Sequence, residues 1–244
     1  MILLPKDLRI TRDEHTEVRT VQRFREWLDH QDSSRTKGIH ASDLLDPRLS
    51  YWESALPREL TERQVFFFTI GKVLHSLVLN SPEHGIDKSD LGTSEALGIL
   101  FSPDAATHDG SPIELKTNRS AYEPHEDKLI VDYQIYLEQL LIYCILQNCL
   151  RGELWVLYIS LKDPSGRTFP DLRCYSVELT QTQFHTLEQQ IIATRDLLLK
   201  AKKEKNHRIL PLCRNWKCGT NCVYFNECRP EGRYPQKDKK RWTA

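Results

Sequence analysis

Asp104, Glu114 and Lys116 supply two carboxylates and an ammonium within one short stretch, SPDAATHDGSPIELKT, residues 102–117. Side chains alternate along a strand, so in PIELK Glu114 and Lys116 share one face while Ile113 and Leu115 share the other. Taken alone, such a Glu-x-Lys pair reads as an ordinary solvent-facing ion pair. Asp104 changes that reading, because the Asp109-Gly110 turn signal predicts a hairpin that carries it toward Glu114. Two carboxylates held together repel unless a cation lies between them, and oxygen ligands of this kind suit Mg²⁺ or Mn²⁺. A lysine beside that ion can position a water and stabilise a pentavalent phosphate, which are the parts phosphodiester hydrolysis needs.

Several elements must position these residues. GILF (98–101) and PIELK (112–116) read as two strands joined across Asp109-Gly110. Upstream, Val18, Val21, Phe24, Trp27 and Leu28 predict an amphipathic helix over 12–31. Ser42 is a cap for a short helix through Tyr51 and Trp52, and Val65, Phe68, Val73, Leu77 and Val78 predict a stronger one over about 61–80, stopped by Asn80, Ser81 and Pro82. Downstream, DYQIYLEQLLIYCILQNC at about 130–149 is apolar on more than one face and so predicts a central helix. GELWVLYISL (152–161) and LRCYSVEL (172–179) read as partner strands around the DPSGR turn. Thr180 with Gln183 forms a capping box for a last helix with the stripe Phe184, Leu187, Ile191 and Leu198. This order predicts an α/β fold, a central mixed sheet flanked by helices. The expected organisation is a helical segment over 1–40, a core over 41–210, a cysteine-rich tail over 211–232 and a basic flexible tail over 233–244.

The chain has 244 residues, zero formal net charge, 39% apolar and 28% charged residues, a composition expected of a soluble globular protein. No apolar run approaches the ~18 residues of a membrane span, and the apolar start is too short for a signal peptide, so a cytoplasmic protein is expected. KAKKEKNHR (200–208) and KDKKR (237–241) are basic and 81–138 is acid-rich, runs that read as solvated helix ends and a tail. Of seven cysteines, Cys144, Cys149 and Cys174 stand alone in apolar segments and are expected to be buried. Cys213, Cys218, Cys222 and Cys228 fall within sixteen residues, which points to a metal site and away from a disulfide framework.

Pro103-Asp104, nine residues, then Glu114-Leu115-Lys116 resembles the signature of the PD-(D/E)XK nucleases. Gly71 and His75 in GKVLH, and Gln139 and Tyr143 in QLLIY, resemble the G-x-x-x-H and Q-x-x-x-Y elements of its RecB-like branch. The resemblance runs over about residues 40–230 and implies a restriction-endonuclease-like core. It implies that His75, Asp104, Glu114 and the Leu115 carbonyl hold Mg²⁺ or Mn²⁺, that Lys116 orients the attacking water, and that Gln139 and Tyr143 contact DNA or support the metal site. Cys218-x3-Cys222-x5-Cys228 is similar to the C-terminal trio of the iron–sulfur CRISPR-associated exonucleases, whose early cysteine lies in a context like S-x-L-x-x-C-P-R. Here that context is Ser42 to Arg48 with Asp46 in the cysteine's place. The fourth ligand of a 4Fe–4S cluster is then Cys213, the preferred reading because thiolate is the softer ligand, or Asp46; Zn²⁺ is the alternative metal, although no C-x-x-C knuckle is present. The implied activity is a metal-dependent DNA exonuclease acting mainly on single-stranded ends in recombination, repair or CRISPR spacer acquisition. A CRISPR integrase or a helicase is the partner it suggests. Two other classes remain: a non-catalytic DNA-binding module, and a subunit active only within a larger complex. Arg48, Lys72 and Arg119 are candidates to guide the DNA backbone, and Tyr51, Trp52 and Tyr122 to stack on bases.

Overall fold

The computed structural model describes residues 37–79, 94–125, 128–162, 165–214, 218 and 222–231. The helix expected over 12–31, the stop at Asn80-Ser81-Pro82 and the tail over 233–244 lie outside the described residues. Leu60–Lys72 belongs to one compact unit, and Gly38–Glu59 with the chain from Val73 onward to another. The candidate site lies wholly in the second.

Pro47 opens helix α1 (Pro47–Ala55) at its first turn, where a missing N–H does no harm. A separate 3₁₀ turn, Ala41–Leu44, precedes it, with the Asp43 carboxylate accepting the His40 N–H at 2.8 Å. The single helix expected from Ser42 is therefore two pieces, because proline cannot donate the bond that would join them. Helix α2 (Glu62–Leu79) starts at a reciprocal Thr61–Gln64 cap, with 2.9 and 3.3 Å hydrogen bonds.

Strands β1 (Ser94–Ala96) and β2 (Ile99–Phe101) form their own antiparallel pair. This corrects the expectation that GILF pairs with PIELK. Leu97 at φ 54 and Gly98 at φ 69 make the tight turn that commits β2 to the residues before it. Pro103 then interrupts pairing, and the strand that opposes PIELK is the two-residue β3 (Ala105–Ala106), with Ala105 opposite Ile113 in β4 (Pro112–Asn118). The Asp109-Gly110 turn is present, closed by Thr107 N–H to the Ser111 carbonyl at 2.9 Å, with Gly110 at φ 83.

The main sheet has four strands in the order β3-β4-β5-β6, with β5 at Arg151–Lys162 and β6 at Thr168–Glu178. β4 and β5 run parallel, which requires a crossover. Helices α3 (Leu129–Asp132) and α4 (Gln134–Leu146) supply it, broken at Tyr133. Leu140 and Cys144 of α4 pack on Leu154, Val156 and Tyr158 of the sheet. Ile142, Tyr143, Ile145 and Leu146 face a second cluster with Phe101 and with Phe184, Ile191 and Leu198 of α5 (Gln181–Glu204). Hence α4 is apolar nearly all round: it lies between the sheet and α5. The approach to the sheet is close enough that a Cβ on Gly152 would come within 2.7 Å of Cys144 Sγ. On the opposite sheet face Ile113, Leu115 and Trp155 bury with Leu79. Each such side chain contributes ~1.5–3 kcal/mol of transfer free energy. α5 begins at the expected Thr180–Gln183 capping box. Among the described residues no helix is long and apolar enough to cross a membrane.

Candidate active site and cysteine centre

β4 places Glu114 and Lys116 on the face covered by α4, in register with Leu154 and Val156. Glu114 is only 1% exposed, and the Lys116 ammonium donates to its Oε1. The pair is therefore no solvated surface couple. A buried carboxylate is tolerated because its cationic partner stays with it. The Lys116 Nζ also lies 5.7 Å from the centroid of the Tyr136 ring, at cation–π range.

Asp104 stands just before β3, at the edge of β4. Its Oδ2 accepts the Leu115 N–H at 2.8 Å and its Oδ1 lies 3.7 Å from His75 Nδ1. A strand residue directs its N–H and C=O to the same edge, so the Leu115 carbonyl also leaves on the Asp104 side. Burial works to raise the Asp104 pKa. The His75 contact, the Lys116 charge and the Leu115 N–H outweigh it and hold the carboxyl below its ordinary 3.8. Lys116 moves the other way: burial lowers its pKa from 10.5, and the Asp104 charge resists.

Gln139 Nε2 donates to Tyr143 Oη at 2.8 Å across one turn of α4. Tyr143 is buried, and its hydroxyl is pushed up to about 12, first by burial and further by the charge of Asp104. The pair thus faces inward on the side of Asp104. Tyr136, one turn earlier on the same helix, was missed in the sequence. The signal was there, as Tyr136, Gln139 and Tyr143 recur at helical spacing.

The donors gathered here are two carboxylates, an imidazole and a backbone carbonyl. Hard oxygens with one nitrogen fit Mg²⁺ or Mn²⁺. In the side-chain positions described, Glu114 is turned onto Lys116, and no three His, Cys, Asp or Glu among the described residues form a metal-holding group.

The second polar region lies at the end of the chain. Cys213, Cys218, Cys222 and Cys228 line one cavity of about 10 Å³ together with Arg48, Trp52 and Tyr224. Cys213 is pushed up to about 11 by burial and then by the neighbouring charges of Asp46 and the other three cysteines. Of the two residues considered as fourth ligand, Cys213 lines this cavity, while Asp46 does not line it but lies near enough for its charge to act on Cys213. Thiolates are ligands of the type that suit an iron–sulfur cluster or Zn²⁺, but in the positions described these four are not drawn together into a metal-holding group.

Three expectations for DNA contact are corrected here. Arg48 is buried, its Nε and Nη2 donating to the Leu210 carbonyl at 3.0 and 2.5 Å and Nη2 to the Arg208 carbonyl at 3.2 Å. Tyr51 is buried, and the Trp52 ring lies 4.9 Å from His207 and is stacked 6.4 Å from Tyr224. The cause is common to all three: α1 turns this face toward the tail. Tyr122 is 67% exposed, with Lys162 Nζ 5.7 Å from its ring centroid. Cys144 is buried as expected, but Cys149 is half-buried and Cys174 exposed, the latter because β6 is an edge strand.

A mixed four-stranded sheet with α4 over one face, and an acidic centre at its β3–β4 edge, defines an α/β protein with one polar site on the sheet. No protein-family model and no curated protein matches the chain. Among solved structures, SSO0001 is similar with a TM-score of 0.51 and 23% identity over 84% of this chain and 91% of that one, which shows a shared fold. An alkaline exonuclease from Laribacter hongkongensis superposes less well, with a TM-score of 0.44 and 13% identity over 72% of this chain and 95% of its own. Its complex with dAMP gives a TM-score of 0.42 and 11% identity over 70% and 92%.

Proposed function

We propose that the protein is a metal-dependent deoxyribonuclease, an exonuclease acting mainly on single-stranded DNA ends. The observation that carries this reading is that His75, the Leu115 N–H and the charge of Lys116, itself paired with Glu114, all act on Asp104. Held by His75, Asp104, Glu114 and the Leu115 carbonyl, Mg²⁺ or Mn²⁺ would polarise the phosphate and acidify a water. The chain's own groups do the rest. Asp104 stays ionised at neutral pH because its pKa is held down. Lys116 offsets the charge that develops on phosphate and orients the attacking water, while Tyr136 holds its ammonium in place. Exposed Tyr122, with Lys162 beside it, offers a stacking surface with a cation for a single strand, and Arg119 lies close by in the chain.

In the same reading the four cysteines hold a 4Fe–4S cluster, or Zn²⁺, that fastens the tail to the body without taking part in hydrolysis. Recombination, repair or CRISPR spacer acquisition in the cytoplasm is the setting this implies, with a CRISPR integrase or a helicase as partner.

End-labelled single- and double-stranded DNA, incubated with Mg²⁺, Mn²⁺ or EDTA, tests the proposal in wild type and Asp104→Ala. Metal-dependent shortening from the ends, faster on single strands and absent in Asp104→Ala, is the expected result. Undiminished cleavage by Asp104→Ala sinks the mechanism. Metal-independent binding without cleavage marks a non-catalytic DNA-binding module, and cleavage that appears only with an added integrase or helicase marks a subunit of a larger assembly.

A further inference from the structure

Arg48 is 4% exposed, and three of its hydrogen bonds go from Nε and Nη2 to the carbonyls of Arg208 and Leu210. Its Nη1 is buried with no hydrogen-bond partner. It forms an ion pair with Glu231 Oε2 at 3.6 Å, on a side chain that is itself 59% exposed. A guanidinium cannot shed its proton, and a buried donor left unpaired is both costly and rare. The same side chain lines the cavity bordered by Cys213, Cys218, Cys222 and Cys228. A buried cationic donor with no hydrogen-bond partner among the described residues, and only a 3.6 Å ion pair to an exposed carboxylate, therefore borders a set of four thiols.

Four thiolates carry more negative charge than a divalent ion or an oxidised four-iron core offsets. Such a centre gains from a cation that also hydrogen-bonds to sulfur, the kind of outer contact that tunes a metal site. We infer that Arg48 is the positioning residue of the cysteine centre. Nη1 donates to a metal-bound thiolate, while Nε and Nη2 fix the chain at 208–210, just before Cys213. Asp46, two residues earlier, then supplies no ligand, and the arginine takes over the link between this early segment and the tail that a cysteine would otherwise make. The inference rests on the reading that these cysteines hold iron–sulfur or zinc.

The test crosses metal loading with substitution in the full chain. Wild type, Arg48→Lys and the control Glu231→Gln are each compared loaded and stripped, by thermal melting and by the rate of metal loss to a chelator. Arg48→Lys is expected to lower metal affinity about 10- to 100-fold, the range for loss of an outer-shell partner. Its melting deficit should be larger in the loaded form than in the stripped one, and Glu231→Gln should release metal at the wild-type rate. Equal deficits in both forms, with unchanged release, overturn the inference and leave Arg48 a purely structural tie. A measurement on wild type alone guards against a variant that fails to fold: the ¹⁵N-labelled Arg48 Nη1–H signal should shift and gain protection from exchange on loading. An unmoved signal overturns the inference equally. A wild-type chain that takes up neither iron nor zinc overturns the cysteine-centre reading itself, and this shows in the wild-type arm before any variant is made.

Discussion

The acidic edge of the sheet and the cysteine cavity are both polar regions of one compact unit, but they are held in opposite ways. At the edge, backbone does the holding: Leu115 N–H fixes the Asp104 carboxylate and strand alternation fixes Glu114 beside Lys116. Around the cysteines, regular structure among the described residues is limited to a 3₁₀ turn (His207–Ile209) and the single turn of α6 (Phe225–Cys228). Side chains from elsewhere pin that segment: Arg48 on the 208–210 carbonyls, Arg58 on Glu227, and Arg214 on Glu138 of α4. A region built on backbone keeps its geometry when an ion leaves. A region held by side chains depends on what binds there. Under the proposed function, losing the ion at the edge should therefore cost chemistry, and losing the metal at the cavity should cost structure.

Four experiments break or sharpen this contrast. The largest effect belongs to the edge: Asp104→Ala should lose ~10³-fold or more in cleavage while keeping its iron or zinc content. Lys116→Ala should lose as much, and also up to ~3 kcal/mol of stability, the low end for a broken buried pair because the lysine is 23% exposed while Glu114 is left unpaired. An Asp104→Ala preparation without its cysteine-bound metal would show that the two regions are not separable. Next comes the cavity, where Cys222→Ser should lose metal and melt about 5–10 °C lower, with cleavage per folded molecule changed less than about tenfold. Unchanged melting would deny the cysteines their fastening role.

Tyr136 gives a smaller effect, again at the edge. Replacing it with leucine should lower kcat about 5- to 30-fold through loss of the ring beneath Lys116, whereas phenylalanine should stay near wild type. Equal rates for the two variants would mean that the ring does not act on the lysine. The smallest effect is a pH dependence. Because the folded Asp104 pKa lies below 3.8, its stabilisation is complete above that value and is lost as pH falls through the depressed one. The melting difference between wild type and Asp104→Asn should therefore hold from neutral pH down to 3.8 and close below it. Closure already between about pH 7 and about pH 5 would assign it to histidine titration instead.

Strong local signals in the sequence survive into the structure. The continuous apolar run at 152–161 is β5, and the Thr180–Gln183 cap opens α5. His75, the Leu115 N–H and the Lys116 charge all act on Asp104, with His75 reaching it from a separate stretch of the chain. What escaped was set by competition or by distant packing. Two turn signals lie within a dozen residues, and the one at Leu97-Gly98 claims β2, which leaves β3 to pair with β4. Tyr136 acquires its role only when α4 folds over β4. Arg48 was read as a surface cation because its two acceptor carbonyls lie more than 150 positions away.

That distance has a consequence for how the molecule is made. Arg48 and Leu210 are 162 positions apart, so their contact must wait until everything between them has been made. Long-separated contacts close slowly, and until this one closes the cavity lacks its Arg48 wall. The cysteine end therefore closes on a segment made long before it, after the four-stranded sheet between them has been synthesised.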